Sequence, residues 1–184
     1  MSGEAMAVMT SGGSGNQGVV AILTPWIAGE WIGIGEERLV ESLAVAHAVN
    51  AYIKSFTGEL AVICGCAMAA GVAAAVAIVY QNNGCDLPAI SRAVSNVIGD
   101  LSGMICDGAK AGCAMKTVTS VDSAIRSALM AIEGYGLGQH EGLVGETIEQ
   151  SIRNLSRVSL EGMFSVDPTV LAILEEKAIP NAHA

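Results

Sequence analysis

The feature that most constrains the fold is a stretch of 20 residues without a charged side chain, Ala61 to Tyr80. Its length alone would allow a membrane span, and that alternative stays open at this point. Its composition favours a buried helix, because Ala, Gly and Cys dominate and contribute little to membrane insertion. No basic flank or aromatic belt frames the stretch. We therefore expect a central helix over residues 59–80, apolar on all sides and surrounded by other helices.

The rest of the chain also has helical patterns. Residues 36–55 carry apolar side chains in steps of three and four, which predicts one helix. In the rest of the chain, three patterns predict helix starts: Asp86 before Pro88, a capping-box spacing from Thr119 to Asp122, and Asp167 before Pro168. The glycines at 134–138 predict a helix end. No alternating strand pattern or repeat appears. The sequence predicts a single all-α domain over residues 1–184, arranged around the central helix.

Charge and cysteine content narrow the class of protein. The formal net charge is −9 and no run of basic residues occurs, which argues against a nucleic-acid partner. The first residues have no signal-peptide pattern. Five cysteines then favour a reducing compartment, where they act as thiolates or metal ligands rather than disulfides. We expect a cytoplasmic protein.

A glycine-rich loop, residues 10–18, precedes an apolar helix that is predicted from Val19 onward. Small residues let several backbone N–H groups point into one cavity, and a helix N-terminus adds partial positive charge. Such a loop suits a carboxylate or a phosphate. It lacks the Gly-Lys-Ser/Thr of a phosphate-binding Walker loop. A plain flexible loop is the other interpretation.

Two cysteine-containing segments are candidates for metal binding. Cys106 and Cys113 bracket six residues, two of them glycines, and Cys64 and Cys66 lie within the predicted central helix. Thiolates are the preferred ligands of iron–sulfur clusters. The 106–113 spacing matches no common zinc motif. Burial as small apolar residues is the alternative, and it is favoured for Cys64 and Cys85.

Five segments of the chain together are characteristic of one family. They are residues 10–18 (TSGGSGNQG), 65–71 (GCAMAAG), 96–100 (NVIGD), 103–110 (GMICDGAK) and 152–155 (IRNL). In this order they resemble the serine dehydratase α-chain-like family, which includes L-cysteine desulfidases and many bacterial proteins of unassigned function. The resemblance covers nearly the whole chain.

The resemblance implies a PLP-independent lyase with an oxygen-sensitive [4Fe-4S] cluster. Matched position by position, the cluster ligands are Cys66, Cys106 and Cys113, with Cys64 as a substitute for Cys66. Three protein ligands leave one iron open to act as a Lewis acid on the leaving group of the substrate. Water or hydrogen sulfide is eliminated from L-serine or L-cysteine, and the aminoacrylate hydrolyses to pyruvate and ammonia.

The resemblance also assigns binding residues but no base. The residues expected to hold the substrate carboxylate are Ser14, Gly15, Asn16 and Gln17. Lys110 could add positive charge near the site, although a solvated surface lysine is an equal alternative. His47, His140 and His183 sit in no recognised motif. We expect each of these histidines to be a surface or core residue.

One departure from the family concerns the region before the loop. Relatives usually carry a long N-terminal region there, expected to supply part of the active site, and here the loop begins at residue 10. We expect a homo-oligomer or a complementary N-terminal subunit; the alternative is a truncated form that is inactive alone. The alternative function is a non-catalytic relative that binds a small molecule or only assembles with a partner.

Overall fold

The computed structural model describes residues 4–178, which are largely α-helical. Within that range the backbone forms no β-strand, only two isolated antiparallel bridges, Ser11–Ser14 and Ile63–Ile105. The predicted all-α fold class is therefore confirmed. Residues 1–3 and 179–184, His183 among them, lie outside the described part of the chain.

Eight α-helices and two π-helical segments follow one another along residues 4–178. A continuous helical run contains α1 (Gly15–Gly18), a first π segment (Val19–Leu23) and α2 (Thr24–Ile32). The next elements are α3 (Glu36–Thr57), α4 (Met68–Asn83), α5 (Leu87–Leu101) and α6 (Cys113–Ile132). The last are α7 (Ile148–Arg157), a second π segment (Val158–Gly162) and α8 (Val166–Ala178).

Helix α4 lies at the centre and packs against α3, α5 and α6. Thirteen of its 16 residues are buried, and most of them are alanine or valine. Small residues let the helix axes approach closely. At Gly71, an added Cβ would lie 2.8 Å from the hydroxyl oxygen of Ser120 on α6. The same hydroxyl donates a hydrogen bond to the Ala67 carbonyl (2.7 Å), which fixes α6 at the start of α4.

The central helix is buried as expected, but its predicted range of 59–80 is wrong. The helix spans Met68–Asn83, and residues before it form a loop. There Cys64 N–H donates to the Met104 carbonyl (2.9 Å) and Cys106 N–H to the Val62 carbonyl (2.6 Å). These bonds take the place of helical ones, and an apolar run cannot by itself distinguish a buried helix from a buried extended segment. Of the helices in residues 4–178, none combines the length and apolar character needed to cross a membrane.

The other helix-start signals had mixed outcomes. The helix predicted over 36–55 is α3, and Asp86 caps α5 by accepting a hydrogen bond from Ala89 N–H (3.1 Å). The capping box at Thr119 is wrong, because α6 already begins at Cys113. The Thr119 hydroxyl instead bonds back to the Met115 carbonyl (3.0 Å) within α6. Helix α8 begins at Val166, before the expected Asp167 cap.

Two of the family-like segments contain asparagines that join elements of the fold. Asn96 on α5 donates to the carbonyls of Ser127 (3.4 Å) and Tyr135 (3.2 Å) and accepts from Leu137 N–H (3.0 Å). Asn154 on α7 donates to the Leu143 carbonyl (3.0 Å). Both side chains hold the turns that follow α6. Their role is therefore structural.

Candidate functional site

A cavity of about 640 Å³ lies where the glycine-rich loop, the two cysteine-containing segments and α8 meet. It collects residues that are far apart in sequence. Its polar lining is Ser14, Asn16, Gln17, Lys54, Glu59, Asp107, Lys116 and Asp167 together with Cys64, Cys66, Cys106 and Cys113. Its apolar lining includes Leu60, Val170, Leu171 and Leu174. The cavity thus combines thiols, cations, carboxylates and amides, which suits a small polar ligand.

The glycine-rich loop forms a tight two-residue turn. Ser11 and Ser14 exchange two backbone hydrogen bonds of 3.2 Å, and Gly12 and Gly13 between them have φ of +55° and +86°. Such left-handed values at both central positions favour glycine. The Ser11 hydroxyl is held by Asn50 (2.9 Å) and His47 (3.0 Å) on α3. The loop is therefore a fixed wall of the cavity, which disfavours the plain flexible loop.

The cysteines reach the cavity from three segments. Pairing of Ile63 with Ile105 brings the Cys64–Cys66 segment beside Cys106. Cys113 comes from the first turn of α6, and its thiol donates to the Gly108 carbonyl (3.4 Å). Contrary to the predicted helix, Cys64 and Cys66 lie in the loop before α4. All three expected ligands and Cys64 thus line one cavity.

The Cys64 and Cys66 thiols have opposite acidities. The Cys64 thiol donates to Cys66, and the hydroxyl of Ser14 lies 3.8 Å from the Cys66 sulfur. These contacts outweigh burial and lower the pKa of Cys66 to about 7. The same Cys64–Cys66 bond, with burial, raises the pKa of Cys64 far above its usual value. Cys66 is the more thiolate-like of the pair.

Two lysines that the sequence did not single out line the cavity. Lys116 is bound to the Asp107 carboxylate and to the Ile105 carbonyl (2.7 Å). Lys54 on α3 is only 6% exposed, and burial lowers its pKa while the nearby thiols of Cys66 and Cys106 oppose that shift. A signal for Lys54 was present: it follows the buried Ile53 on the face that packs inward, four residues after Asn50.

Several candidates lie away from the cavity or at its edge. Lys110 is an exposed lysine that pairs with Asp107 and is not among the lining residues. Hydrogen bonds from Lys110 and Lys116 hold the pKa of Asp107 well below its usual range. Gly15 faces Val8, whose side chain would lie 3.2 Å from an added Cβ. Cys85 is exposed in the α4–α5 connection, so the expected burial is wrong there.

The histidines within residues 4–178 lie outside the cavity lining. The His140 side chain does not contact the cavity, and the His47 imidazole is hydrogen-bonded to the Ser11 hydroxyl (3.0 Å). Both side chains are exposed, as expected for surface residues. His47 has a structural contact that holds the loop.

The donor set of the cavity fits an iron–sulfur cluster. Four cysteines line it, thiolate is the preferred ligand of such clusters, and Gly65 between two of them leaves room that a Cβ would fill. In residues 4–178 no three His, Cys, Asp or Glu side chains converge on a single-ion site. A cluster imposes a different demand, because each cysteine binds a different iron. The soft sulfur donors fit iron–sulfur chemistry better than a hard cation.

The fold is all-α, and its cavity is lined by cysteines. Comparison with known families identifies the family to which such a chain belongs. A family model described as serine dehydratase alpha chain matches residues 1–172. The chain therefore belongs to the serine dehydratase alpha chain family. No solved structure matches it.

Similar proteins come from several bacteria. A UPF0597 protein of Geobacter sulfurreducens is 55% identical over 96% of this chain and 41% of its own length. UPF0597 proteins of Elusimicrobium minutum and Clostridium tetani are 52% and 45% identical, each over 96% of this chain and 42% of the relative. The chain thus spans about two-fifths of the length of the curated relatives it matches.

Proposed function

We propose that this chain is the cluster-binding part of a PLP-independent [4Fe-4S] lyase. The reaction is elimination of water or hydrogen sulfide from L-serine or L-cysteine, giving pyruvate and ammonia. The observation that carries the proposal is the convergence of Cys66, Cys106 and Cys113 with Ser14, Asn16 and Gln17 on one cavity. Membership of the serine dehydratase alpha chain family supports the reaction class.

Cys66, Cys106 and Cys113 would hold the cluster, with Cys64 hydrogen-bonded to Cys66. When bound, the cluster supplies an iron without a protein ligand, which acts as a Lewis acid on the leaving group. In the elimination, a base takes the α-proton and the Cβ–O or Cβ–S bond breaks. The electron pair leaves on oxygen or sulfur, which takes up a proton to depart as water or hydrogen sulfide. The aminoacrylate then tautomerises and takes up water to give pyruvate and ammonia.

The other cavity residues orient the substrate and control water. Ser14 ends a turn that is hydrogen-bonded to α3, and Asn16 and Gln17 follow it on α1, so the positions of their polar groups are set before substrate arrives. The apolar side chains of Val170, Leu171 and Leu174 cover part of the cavity from α8. Lys116 adds a cation beside the Cys106 segment.

The first test is anaerobic reconstitution of the chain with iron and sulfide. We expect roughly four irons per chain and broad visible absorption, as a [4Fe-4S] cluster requires. Cys106→Ala should abolish both. Cys85→Ala is the matched control, because Cys85 is an exposed cysteine outside the cavity, and it should leave both unchanged. Folded wild-type protein that binds no iron would overturn the proposal and favour a non-catalytic relative.

A second test concerns the part of the relatives that this chain does not span. The chain is assayed with L-serine and L-cysteine, alone and with the remaining region of a UPF0597 relative supplied as a separate polypeptide. We expect pyruvate release to need a complementary region or a second copy of the chain. Full turnover by a monomer of this chain would contradict that expectation while supporting the lyase assignment.

A further inference from the structure

Lys54 is a buried cation whose charge has no partner within residues 4–178. Its ammonium forms no hydrogen bond or ion pair there, although the side chain is only 6% exposed. Glu59 is close enough to influence Lys54 but makes no ion pair with it in that range. Burying a charge without a partner costs several kcal/mol, so such a group usually meets a counterion when the site is in use.

Lys116 provides an internal comparison, because it lines the same cavity. Its ammonium is bound by the Asp107 carboxylate and the Ile105 carbonyl, so its charge and two of its donors are already used. Lys54 has all three ammonium donors available. The two lysines therefore differ in role: Lys116 fastens the Cys106 segment to α6, and Lys54 is left to face the cavity.

A second buried polar group accompanies Lys54. Gln17 is 2% exposed, its Oε1 is buried without a hydrogen-bond partner in residues 4–178, and its Nε2 makes no hydrogen bond there either. The Gln17 Nε2 and the Lys54 Nζ lie 3.0 and 3.2 Å from one point, the position of a Cβ at residue 65. Gly65 leaves that point empty. Two donors thus flank the cysteine-containing wall of the cavity.

We propose that the Lys54 ammonium and the Gln17 amide form an anion subsite that binds the carboxylate of a small amino or oxo acid. A cation and an amide donor are complementary to the two oxygens of a carboxylate. Residues 14–17 carry no charged side chain, so Lys54 supplies the positive charge that complements a carboxylate at this position. That the carboxylate is that of the lyase substrate rests on the proposed function, whereas anion binding does not.

The test is ligand binding to the metal-free chain, measured by calorimetry. The probes are L-serine, pyruvate and L-serinamide, which lacks the carboxylate. We expect Lys54→Met to weaken L-serine and pyruvate binding about 10- to 100-fold, as loss of a charged hydrogen bond predicts. Lys177→Met is the control: it removes the same charge from an exposed position on α8 outside the cavity lining and should bind as the wild type does.

L-serinamide completes a double-mutant-type cycle, in which the lysine and the ligand carboxylate are removed separately and together. The cycle distinguishes direct contact between Lys54 and the carboxylate from a general effect of the substitution on the cavity. Wild-type protein should bind L-serinamide as weakly as Lys54→Met binds L-serine. The affinity of Lys54→Met for L-serinamide should equal that of the wild type. Equal loss with both ligands would overturn the subsite, as would absence of saturable L-serine and pyruvate binding to the wild type.

Lys54→Met should melt at or above the wild-type temperature, because it removes a buried charge. A lower melting temperature would instead indicate a structural lysine and overturn the proposal.

Failure of the subsite and failure of the lyase proposal give different results. If reconstituted Lys54→Met, assayed together with the complementary region, retains wild-type KM values for L-serine and L-cysteine, the subsite is wrong and the lyase assignment stands. If the chain binds no iron but loses anion binding in Lys54→Met, the subsite stands and the lyase assignment falls.

Discussion

Ile63 and Ile105 form an isolated antiparallel bridge, and this single pairing joins the two cysteine-containing segments at the cavity. The flanking hydrogen bonds, from Cys64 N–H to Met104 and from Cys106 N–H to Val62, fix the segments in register. The site therefore depends on backbone pairing as much as on the identity of its cysteines.

Gly18 is predicted to be essential for placing the glycine-rich loop. An added Cβ would lie 1.9 Å from the Met9 carbonyl oxygen, so backbone must move. We expect Gly18→Ala to lower the free energy of unfolding by about 1–3 kcal/mol, as overpacking does. Urea denaturation measures it. Gly103→Ala is the control, because its Cβ would meet nothing within 4 Å. Equal stabilities of the two variants would contradict the prediction.

Gly65→Ala should affect ligand binding more than stability. The new Cβ would approach the Gln17 Nε2 (3.0 Å) and the Lys54 Nζ (3.2 Å), both of them ends of side chains that can shift. We expect an unfolding free energy within about 1 kcal/mol of wild type, together with weaker carboxylate binding in the metal-free chain. Calorimetry and urea denaturation on the same samples test this. Wild-type affinity would show that neither donor contacts the anion.

Thiol reactivity in the metal-free chain should depend on pH at Cys66. Its pKa is lowered to about 7 by the Cys64 thiol and the Ser14 hydroxyl, so its thiolate fraction, and its alkylation rate, should rise as pH increases through 7. Cys64, whose pKa is raised, should react far more slowly. Peptide mass spectrometry after iodoacetamide treatment, in a Cys85→Ala background, resolves the two sites. Ser14→Ala should shift the Cys66 profile to higher pH, and an unchanged profile would rule out the hydroxyl's contribution.

Asn96 should contribute to stability rather than to chemistry. Its amide satisfies the Tyr135 carbonyl and the Leu137 N–H in the turn after α6, and the residue is buried. Asn96→Ala leaves these groups unpaired, so we expect a loss of about 2–3 kcal/mol in the free energy of unfolding. Asn83→Ala, at an exposed asparagine, is the comparison in urea denaturation. Iron binding by the folded fraction of Asn96→Ala should equal that of the wild type.

The sequence predicted helices well where periodicity and caps agree, as in α3 and at Asp86. It failed at residues 59–67, because their apolar composition fits both a buried helix and a buried loop, and the pairing with Ile105 is a long-range contact. The cysteines and the Ser14–Gln17 loop were named from the sequence. Lys54 was missed, because its spacing from Ile53 and Asn50 is only a weak indication that tertiary packing will bury a lysine.

Helix α8 supplies one side of the cavity while burying none of its own residues. Few contacts oppose its local opening, so its backbone amides should exchange with solvent deuterium sooner than those of α4. The glycine-rich loop is hydrogen-bonded to α3, and α3 and α6 both bury residues in the core. Among the helices that line the cavity in residues 4–178, α8 alone buries no residue, so we expect the size of ligand that the cavity accepts to depend on α8.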